Sequence, residues 1–295
     1  IVVSKAEHHS VLLPFQELAV RTGATLKWFD LDSEGRILSN TADEVITERT
    51  KIVAVTHVGN TTGAITDIAP MVKRAHEVGA VVVLDACQSV PHLKIDLHAL
   101  DVDFAAWSAH KMYGPTGVGF LYGKRDMLEA LPPANFGGSM VELAWMDQEA
   151  QYMAPPARFE AGTQPVAQVV AAGVAAEWLM NIGMENLEAH ERVIAGELLK
   201  MGQIDGVRIL GPQTNEQRIG TVAFEIDGVH PHDVGQFIDA QGIAIRVGHH
   251  CAQPVHRHFG VYASNRASSG IYNSVEDAQA LVEALKKVRP FFGVE

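Results

Sequence analysis

A strand–helix–strand pattern in the early part of the chain constrains the fold more than any other feature of the sequence. Residues 51–58, KIVAVTHV, are rich in β-branched residues and are followed by a Gly-Asn pair, which predicts a strand that ends in a turn. Helical apolar spacing over residues 68–78 stops at a glycine, and the run AVVVLD at residues 80–85 predicts a second strand. A βαβ unit of about thirty residues with near-continuous apolar strands predicts a parallel sheet covered on both faces, and therefore an α/β fold.

Polar residues cluster where the predicted strands end. Residues 1–4 are a strand candidate that runs into the polar cluster Glu-His-His, and the strand candidates 103–107 and 117–122 are separated by a polar segment. In open α/β sheets, ligands bind at the carboxyl ends of the strands, where Asn60, Asp85 and residues 108–111 all fall. We therefore expect one ligand site at that edge of the sheet.

The second half of the chain predicts a smaller unit of a different kind. Residues 166–199 are rich in Ala, Leu, Glu and Met and predict a long helix that breaks near residues 181–183. Beyond it, strand and helix candidates form a compact α+β pattern. The strand candidates are residues 207–210, 221–226 and 243–247, and the helix candidates are residues 233–240 and 275–288. Because a single core stops growing near about 250 to 300 residues, we expect a large domain at residues 1–178 and a small domain at residues 179–295.

Composition limits the partners and the compartment. The formal net charge of -12 and the pI near 5.6 disfavour binding to nucleic acid or to a membrane surface and favour a protein that handles small molecules. Two cysteines are too few for a disulfide framework, so we expect a reducing cytoplasm. No apolar run approaches the length of a membrane span, about 18 residues, and nothing at the start resembles a cleaved export signal. Because the chain opens on a strand and without Met, we expect further sequence to precede Ile1.

Lys111 and Asp85 suggest a cofactor that carries an aldehyde. Desolvation at a buried strand end favours the neutral amine of a lysine, which is a nucleophile and forms a Schiff base with an aldehyde. A carboxylate such as that of Asp85 would hold a pyridine nitrogen protonated, so that the ring can store the electrons of a carbanion. The alternative is a structural Asp–Lys ion pair, because such pairs also occupy buried strand ends.

The sequence RVGHHCAQP near the C-terminus places Cys251 among groups that can carry positive charge. Arg246, His249 and His250 could favour the thiolate, and the glycine-hinged loop could expose it, which are the two requirements of a reactive cysteine. The alternative is a buried, inert cysteine beside histidines. Further along the chain, the planar guanidinium of Arg266 suits a substrate carboxylate.

Together these residues resemble the group II cysteine desulfurases, the SufS-like branch of the fold-type-I, class V pyridoxal-phosphate enzymes. The resemblance covers essentially the whole chain and implies a mostly parallel central sheet with a smaller C-terminal α+β domain. The matching segments are EHHS at residues 7–10, THVGNTTG at 56–63, LDACQ at 84–88, SAHKMYGPTGVG at 108–119, RFEAGTQ at 158–164, RVGHHCAQP at 246–254, and RAS at 266–268 with the following Tyr272-Asn273.

The resemblance implies a part for each matching residue. Lys111 would form the Schiff base with pyridoxal 5'-phosphate, His8 would stack on its ring, and Asp85 would pair with the ring nitrogen. Arg266, assisted by Arg246, would bind the substrate carboxylate. The other cofactor-binding residues would be Asn60 and Gln88 near the ring hydroxyl or aldehyde side, Ser108 and His110 at the phosphate, and Thr163 at the phosphate of the neighbouring protomer.

The resemblance also implies the reaction and its partners. L-Cysteine would be converted to L-alanine, and a persulfide on Cys251 would pass to an acceptor protein for iron–sulfur cluster assembly. Because Thr163 would reach the neighbouring protomer, the enzyme would be a homodimer with shared active sites. Selenocysteine lyase is a close alternative, since sulfur and selenium differ little in size, and no residue is assigned to a metal.

Two features depart from the family pattern. The usual upstream Gly-Thr-Thr turn is absent, and since the helix that follows such a turn is a strong anion site, its absence predicts weak cofactor binding or misfolding if this chain acts alone. Cys87 places a second thiol beside the cofactor site, where we expect it to pack as a small apolar residue.

Three rival functions stay open. An aminotransferase, epimerase or decarboxylating lyase could use the same scaffold, although the loop cysteine disfavours it. A metal-binding protein is disfavoured because adjacent residues on an extended segment point to opposite faces, and a noncatalytic scaffold is disfavoured by the intact Lys, Asp, Cys and Arg set. The ligands of the metal site would be His8, His9, His249, His250 and Cys251.

Overall fold

The computed structural model describes residues 1–294, and its N-terminal part forms a six-stranded sheet, here called the large sheet. The strand order is β2-β1-β3-β4-β5-β6, in which β1 to β5 are parallel and β6 pairs antiparallel with β5. The predicted α/β class and mostly parallel sheet are therefore confirmed. The strands are β1 (Val2–Ser4), β2 (Lys27–Phe29), β3 (Ile52–Thr56), β4 (Val81–Asp85), β5 (Phe104–Ser108) and β6 (Gly119–Gly123).

The helices of this part support the βαβ prediction. They are α1 (His9–Thr22), α2 (Ala42–Val45), α3 (Ala69–Glu77) and α4 (Arg125–Ala130). The predicted unit is β3, α3 and β4, and the helix buries Met71, Val72 and Ala75 in the core of the large sheet. Because β3 and β4 are parallel and in register, Thr56 and Asp85 end the two strands side by side.

The chain leaves the large sheet through a hairpin and two consecutive helices. The hairpin consists of β7 (Val141–Leu143) and β8 (Gln151–Tyr152), and the helices are α5 (Val166–Ile182) and α6 (Met184–Leu199). Gly183, with a φ of 86°, separates the helices, so the predicted break near residues 181–183 is confirmed. The predicted domain boundary after residue 178 lies inside α5 and stays a prediction.

The helix α5 carries an exposed apolar stripe formed by Val166, Val170, Val174 and Trp178. Their exposed fractions are 64%, 62%, 61% and 46%. Residues spaced by four lie on one face of a helix, so the four side chains form a continuous surface. Within residues 1–294 no single helix is long and apolar enough to span a membrane. The helices Val166–Ile182 and Met184–Gln203 reach that length and apolar content only as a pair, which is bent by 78°.

The C-terminal part forms a four-stranded antiparallel sheet, here called the small sheet, in the order β11-β12-β10-β9. Each sheet has its own apolar core, with Leu84 and Met71 in the first and Phe224 and Ile238 in the second. The elements are β9 (Val207–Ile209), β10 (Thr221–Ile226), α7 (Pro231–Asp239), β11 (Arg246–Gly248), α8 (Gln253–His258), β12 (Ser264–Ser268), α9 (Val275–Leu285) and α10 (Val288–Phe292).

Some boundaries in the small sheet differ from the sequence-based predictions. The strand predicted at residues 243–247 begins only at Arg246, because Ile243 and Ile245 pack against the small core before strand pairing starts. The helix predicted at residues 275–288 ends at Leu285, and α10 begins at Val288. The sequence gives no apolar signal for β12, SNRAS, although Ser264 and Asn265 are both buried.

A tight turn after β3 joins the large sheet to the small sheet. The amide of Ile219 donates to the carbonyl of Gly63 at 2.9 Å, and a Cβ added to Gly63 would collide with the carbonyl oxygen of Thr221. Buried Arg218 donates to the carbonyl oxygens of Thr221, at 2.6 Å, and Thr62, at 3.4 Å. The end of β3 is thus fixed against the small sheet, which brings the loops of both sheets together.

Candidate active site

Lys111 and Asp85 lie at the carboxyl ends of neighbouring parallel strands. Asp85 ends β4, and Lys111 ends a short 3₁₀ turn that follows β5, whose Ala106 pairs with Asp85. The Asp85 carboxylate accepts a hydrogen bond from the Cys87 amide at 2.9 Å. Among the described residues no ion pair within 4.0 Å joins Lys111 to Asp85, so the alternative of a structural ion pair is wrong.

The ring of His8 lies in the same site. His8 caps the N-terminus of α1, and its Nδ1 accepts a hydrogen bond from the Ser10 amide at 3.1 Å. Burial lowers the pKa of His8, the positive charge of Lys111 lowers it further, and the negative charge of Asp85 opposes both. A neutral imidazole that feels both charges is suited to stack on a heteroaromatic ring between them.

The remaining predicted cofactor residues lie at different distances from this centre. Gln88 and Ser108 are half-buried, and Ser108 ends β5 directly before the turn of Lys111. His110 is exposed on that turn, and Thr163 is exposed in the loop before α5. Their contacts with a cofactor stay predictions.

Asn60 forms two hydrogen bonds to the small sheet and its loop that the sequence did not indicate. Its side-chain amide donates to the carbonyl of His250 at 2.6 Å, and its own carbonyl accepts from Nη1 of Arg266 at 2.9 Å. The residue therefore connects the turn after β3 to the loop of Cys251 and to β12. Its predicted contact with the cofactor stays a prediction.

The side chains at the strand ends fit pyridoxal phosphate by their chemistry, and the amine among them is not engaged by other residues. The amine of Lys111 has no hydrogen bond or ion pair to any described residue, which leaves it available to an aldehyde. The half-buried carboxylate of Asp85 suits a protonated pyridine nitrogen, and the neutral ring of His8 suits its face.

Cys251 occupies the loop between β11 and α8 in a constrained conformation. His250 and Cys251 have φ angles of 51° and 57°, a region that costs non-glycine residues about 1–2 kcal/mol each. The His9 amide donates to the Cys251 carbonyl at 2.7 Å, and His9 Nε2 accepts from the Gln253 amide at 3.2 Å. These bonds hold the loop against the start of α1, next to His8.

Arg246 provides positive charge beside Cys251. The Arg246 guanidinium Nη2 lies 3.6 Å from the Cys251 sulfur. Burial, followed by the positive charge of Arg266, lowers the pKa of His250 to about 3, so this histidine is neutral at physiological pH. The expectation that His250 supplies positive charge to the thiol is therefore wrong, because a buried imidazole next to arginines cannot hold a proton.

Arg246 and Arg266 stand opposite each other on paired strands, since β11 and β12 pair at these two residues. Burial and then the charge of Arg246 lower the pKa of Arg266 to about 10, and Nε of Arg266 is buried without a hydrogen-bond partner in the described chain. Neither guanidinium forms an ion pair with a described carboxylate. Two adjacent uncompensated cations favour an anionic ligand such as a carboxylate.

Cys87 lies in the opposite electrostatic environment. Burial, followed by the negative charge of Asp85, raises the pKa of its thiol to about 11. A protonated thiol is a poor nucleophile, which supports the prediction that Cys87 packs as a small apolar residue. The two free cysteines of the chain therefore differ in their chemical environment.

Sequence reasoning missed two buried features of the site. Glu7, fully buried before His8, accepts hydrogen bonds from the Thr56 amide at 3.0 Å and from the Ser4 hydroxyl, and burial raises its pKa to about 8. Its position in the EHHS segment was the available signal. The second feature is a hydrogen-bonded chain of His250, Ser264 and His256, and the spacing of these residues in the sequence does not predict it.

Among residues 1–294 no group of three or more His, Cys, Asp or Glu side chains is arranged to hold a metal ion.

Sequence comparison identifies relatives of the whole chain. The sequence matches the aminotransferase class-V family over residues 1–281. It is 49% identical to the probable cysteine desulfurase 2 of Mycobacterium leprae, covering 100% of this chain and 70% of that protein. It is 41% identical to the cysteine desulfurase of Haloferax volcanii, covering 99% of this chain and 68% of that protein. The chain thus spans about 70% of the length of the curated relatives that it matches.

Solved structures show the same fold. The cysteine desulfurase CsdA of Escherichia coli, in an S-sulfonic acid form, superimposes with a TM-score of 0.94 at 36% identity, covering 98% of this chain and 72% of that chain. The apo cysteine desulfurase of Thermococcus onnurineus superimposes with a TM-score of 0.93 at 34% identity and the same coverage. The chain, with Lys111 and Asp85 at its strand ends, belongs to the class-V aminotransferase family of pyridoxal-phosphate enzymes and, within it, to the cysteine desulfurases.

Proposed function

We propose that the protein converts L-cysteine to L-alanine with pyridoxal phosphate and keeps the substrate sulfur as a persulfide on Cys251. The names of the relatives and the separate loop of Cys251 support this reaction. We further propose that an acceptor protein takes this sulfur for iron–sulfur cluster assembly. Two free thiols suit a reducing cytoplasm as the site of the reaction.

Three side chains would hold the cofactor, and one of them would also move a proton. Pyridoxal phosphate, when bound, supplies an electron sink for a carbanion at the substrate Cα. Lys111, Asp85 and His8 would hold it. The amine of Lys111 would accept the Cα proton, while Arg266 and Arg246 would bind the substrate carboxylate.

Cys251 would take the sulfur directly from the substrate. Its thiolate would attack the substrate sulfur, so that an S–S bond forms as the Cβ–S bond breaks. The electron pair of the Cβ–S bond passes to Cβ, which takes a proton and becomes the methyl group of alanine. The sulfur is oxidised and the carbon is reduced, so the step needs no external oxidant.

The observation that carries this proposal is the environment of Cys251. Its sulfur lies 3.6 Å from the Arg246 guanidinium, on a loop that His9 and Asn60 hold next to the strand ends. Reactive cysteines occupy electropositive, partly exposed environments of this kind. A cysteine in such an environment beside the cofactor site is what distinguishes sulfur transfer from the other reactions of this fold.

The test separates the two residues that carry the chemistry. Lys111→Ala should lose the visible absorption of the bound cofactor, whereas Cys251→Ser should keep that absorption and lose the formation of alanine and sulfide from cysteine. Cys87→Ala is the matched control and should form alanine within about twofold of the unmodified protein. Alanine formation by Cys251→Ser at the unmodified rate would rule out the proposed function of this thiol.

L-Selenocysteine is a second substrate that the same residues would accept. Its selenium would occupy the position of the substrate sulfur, and the carboxylate would meet the same two arginines. The ratio of the rates of alanine formation from the two amino acids would distinguish a cysteine desulfurase from a selenocysteine lyase.

We also propose a homodimer in which Thr163 reaches the phosphate site of the neighbouring protomer. Thr163 is exposed, and the apolar stripe of α5 begins shortly after it at Val166. Large contiguous apolar surfaces are found at protein–protein interfaces. A dimer that buries this stripe would place the Thr163 loop at the boundary between two protomers.

A further inference from the structure

The loop of Cys251 rests on a buried chain of three side chains, His250, Ser264 and His256. Their exposed fractions are 1%, 0% and 2%. The Ser264 hydroxyl oxygen lies 3.0 Å from Nε2 of His250 and 2.9 Å from Nε2 of His256. Nδ1 of His256 lies 3.1 Å from the carbonyl oxygen of Ala252. The chain of hydrogen bonds thus runs from the residue before Cys251, through β12, to the residue after it.

The carbonyl of Ala252 indicates which tautomer His256 adopts. A carbonyl oxygen only accepts, so His256 donates from Nδ1 to Ala252. Burial lowers the pKa of His256, so its ring is neutral and its Nε2 accepts the Ser264 proton. The Ser264 oxygen must then accept the Nε2 proton of His250.

His250 is consequently held in one tautomer as a donor. Its Nδ1 is buried without a hydrogen-bond partner in the described chain, and burial beside Arg266 keeps the ring neutral. The donor bond to Ser264 is therefore the only side-chain hydrogen bond of His250 that the described residues provide.

The bond from His250 to Ser264, here called the anchor, affects the direction in which the Cys251 thiol points. His250 and Cys251 are consecutive left-handed residues, so a small rotation at the first redirects the side chain of the second. The backbone of the loop is held from the other side, where Asn60 donates to the His250 carbonyl and His9 donates to the Cys251 carbonyl. The His250 side chain holds the loop from the side of the small sheet, through its bond to Ser264 of β12.

We propose that His250 is a positioning residue for Cys251, whose hydrogen bond to Ser264, supported by His256, fixes the loop so that the thiol faces Arg246. The inference rests on the proposed function, because the thiol that it positions is the sulfur acceptor of that reaction. It assigns His250 no proton transfer and no contact with the substrate.

Hydrogen exchange tests the anchor without relying on catalysis. In Ser264→Ala, the amides of Ala252 and Gln253 should exchange about 5- to 30-fold faster, the factor that corresponds to the loss of one or two buried hydrogen bonds. The matched control is Ser269→Ala, a buried serine just beyond the other end of β12 that donates to the Gly220 carbonyl. The control should leave the exchange of these two amides unchanged.

Kinetics then test whether the anchor matters to the reaction. His250→Leu removes the donor, whereas His250→Gln places an amide N–H near the position of Nε2 and should restore the bond to Ser264. His250→Leu and Ser264→Ala should lower kcat for alanine formation about 5- to 30-fold with KM within about twofold. His250→Gln should recover most of the loss, and the visible absorption of the cofactor should be unchanged in all three.

The outcomes separate this inference from the proposed function. If the unmodified protein forms no alanine from cysteine, the proposed function is wrong, and the positioning role falls with it even if exchange shows that the anchor exists. If the protein is active, the inference is overturned by Ser264→Ala exchanging like Ser269→Ala. Unchanged kcat in Ser264→Ala, or a His250→Gln variant no better than His250→Leu, also overturns it.

Discussion

Replacing Glu7 by glutamine should make the protein more stable in mildly alkaline solution. Glu7 is fully buried, and one carboxyl oxygen accepts from the Thr56 amide and the Ser4 hydroxyl. The other oxygen has no hydrogen-bond partner in the described chain. Burial, with a smaller effect from Asp85, raises the pKa of Glu7 from 4.5 to about 8. The carboxyl group is therefore protonated in the folded protein at neutral pH.

The magnitude follows from the two pKa values of Glu7. The folded protein binds this proton more tightly than the unfolded chain, so the contribution of Glu7 to the free energy of unfolding is fully present below pH 4.5 and is lost as the pH rises through 8. At about 1.4 kcal/mol per pH unit, the loss from pH 5 to pH 8 is about 3.5 kcal/mol. Glutamine keeps the accepting oxygen and carries no proton to lose, so the variant lacks this loss.

Urea unfolding at pH 5, 6, 7 and 8 measures the effect. Both proteins are compared without cofactor, since a ligand that binds the folded state would add its own stabilisation. Far-ultraviolet circular dichroism and tryptophan fluorescence must give the same midpoint before a free energy is taken from the curves. Glu7→Gln should match the unmodified protein within about 1 kcal/mol at pH 5 and exceed it by about 3 kcal/mol at pH 8.

The control is Glu17→Gln, which removes an exposed carboxylate from α1. Its unfolding free energy should follow the pH dependence of the unmodified protein. If the curves of Glu7→Gln and the unmodified protein run parallel from pH 5 to pH 8, Glu7 is ionised in the folded protein and the argument from burial fails.

Two further predictions concern packing and assembly. Gly63→Ala should lower the free energy of unfolding by at least about 3 kcal/mol, because the added Cβ would collide with a backbone carbonyl of β10. The control is Gly79→Ala, which has a nearly equal φ of 72° but lies in open space. In a parallel urea titration the control should lower the free energy of unfolding by only about 1 kcal/mol. Replacing both Val170 and Val174 on the apolar stripe by aspartate should convert the proposed dimer to a monomer in sedimentation experiments. The control Val20→Asp, on exposed α1, should leave the dimer intact. If the unmodified protein is itself a monomer, the proposed dimer is wrong.

The parts of the site that the sequence could predict are those set by local patterns. Lys111 and Asp85 follow apolar runs, and parallel strands that end at one edge bring such residues together whatever the rest of the chain does. Cys251 stands out because glycine and histidine flank it. The mostly parallel character of the large sheet was also predictable, since near-continuous apolar strands require cover on both faces.

The parts that could not be predicted depend on contacts between distant residues. The amide of Asn60 serves the His250 carbonyl, 190 residues away, and no local pattern indicates that partner. The strand β12 buries a serine and an asparagine, and the Ser264 hydroxyl meets the rings of His250 and His256, which lie 14 and 8 residues away in the sequence. The neutral state of His250 is likewise a consequence of tertiary burial. Sequence composition alone suggested a positive charge at that position.

The two cysteines show how the fold decides between residues of one type. Cys87 follows β4 beside Asp85, where burial and the carboxylate hold its thiol protonated with a pKa of about 11. Cys251 follows β11, with its sulfur 3.6 Å from the guanidinium of Arg246. The neighbouring His250 is buried and neutral, so the cation beside the sulfur is the exposed guanidinium of Arg246. The fold therefore places one cysteine beside a carboxylate and the other beside a guanidinium, and only the second environment suits a nucleophilic thiol.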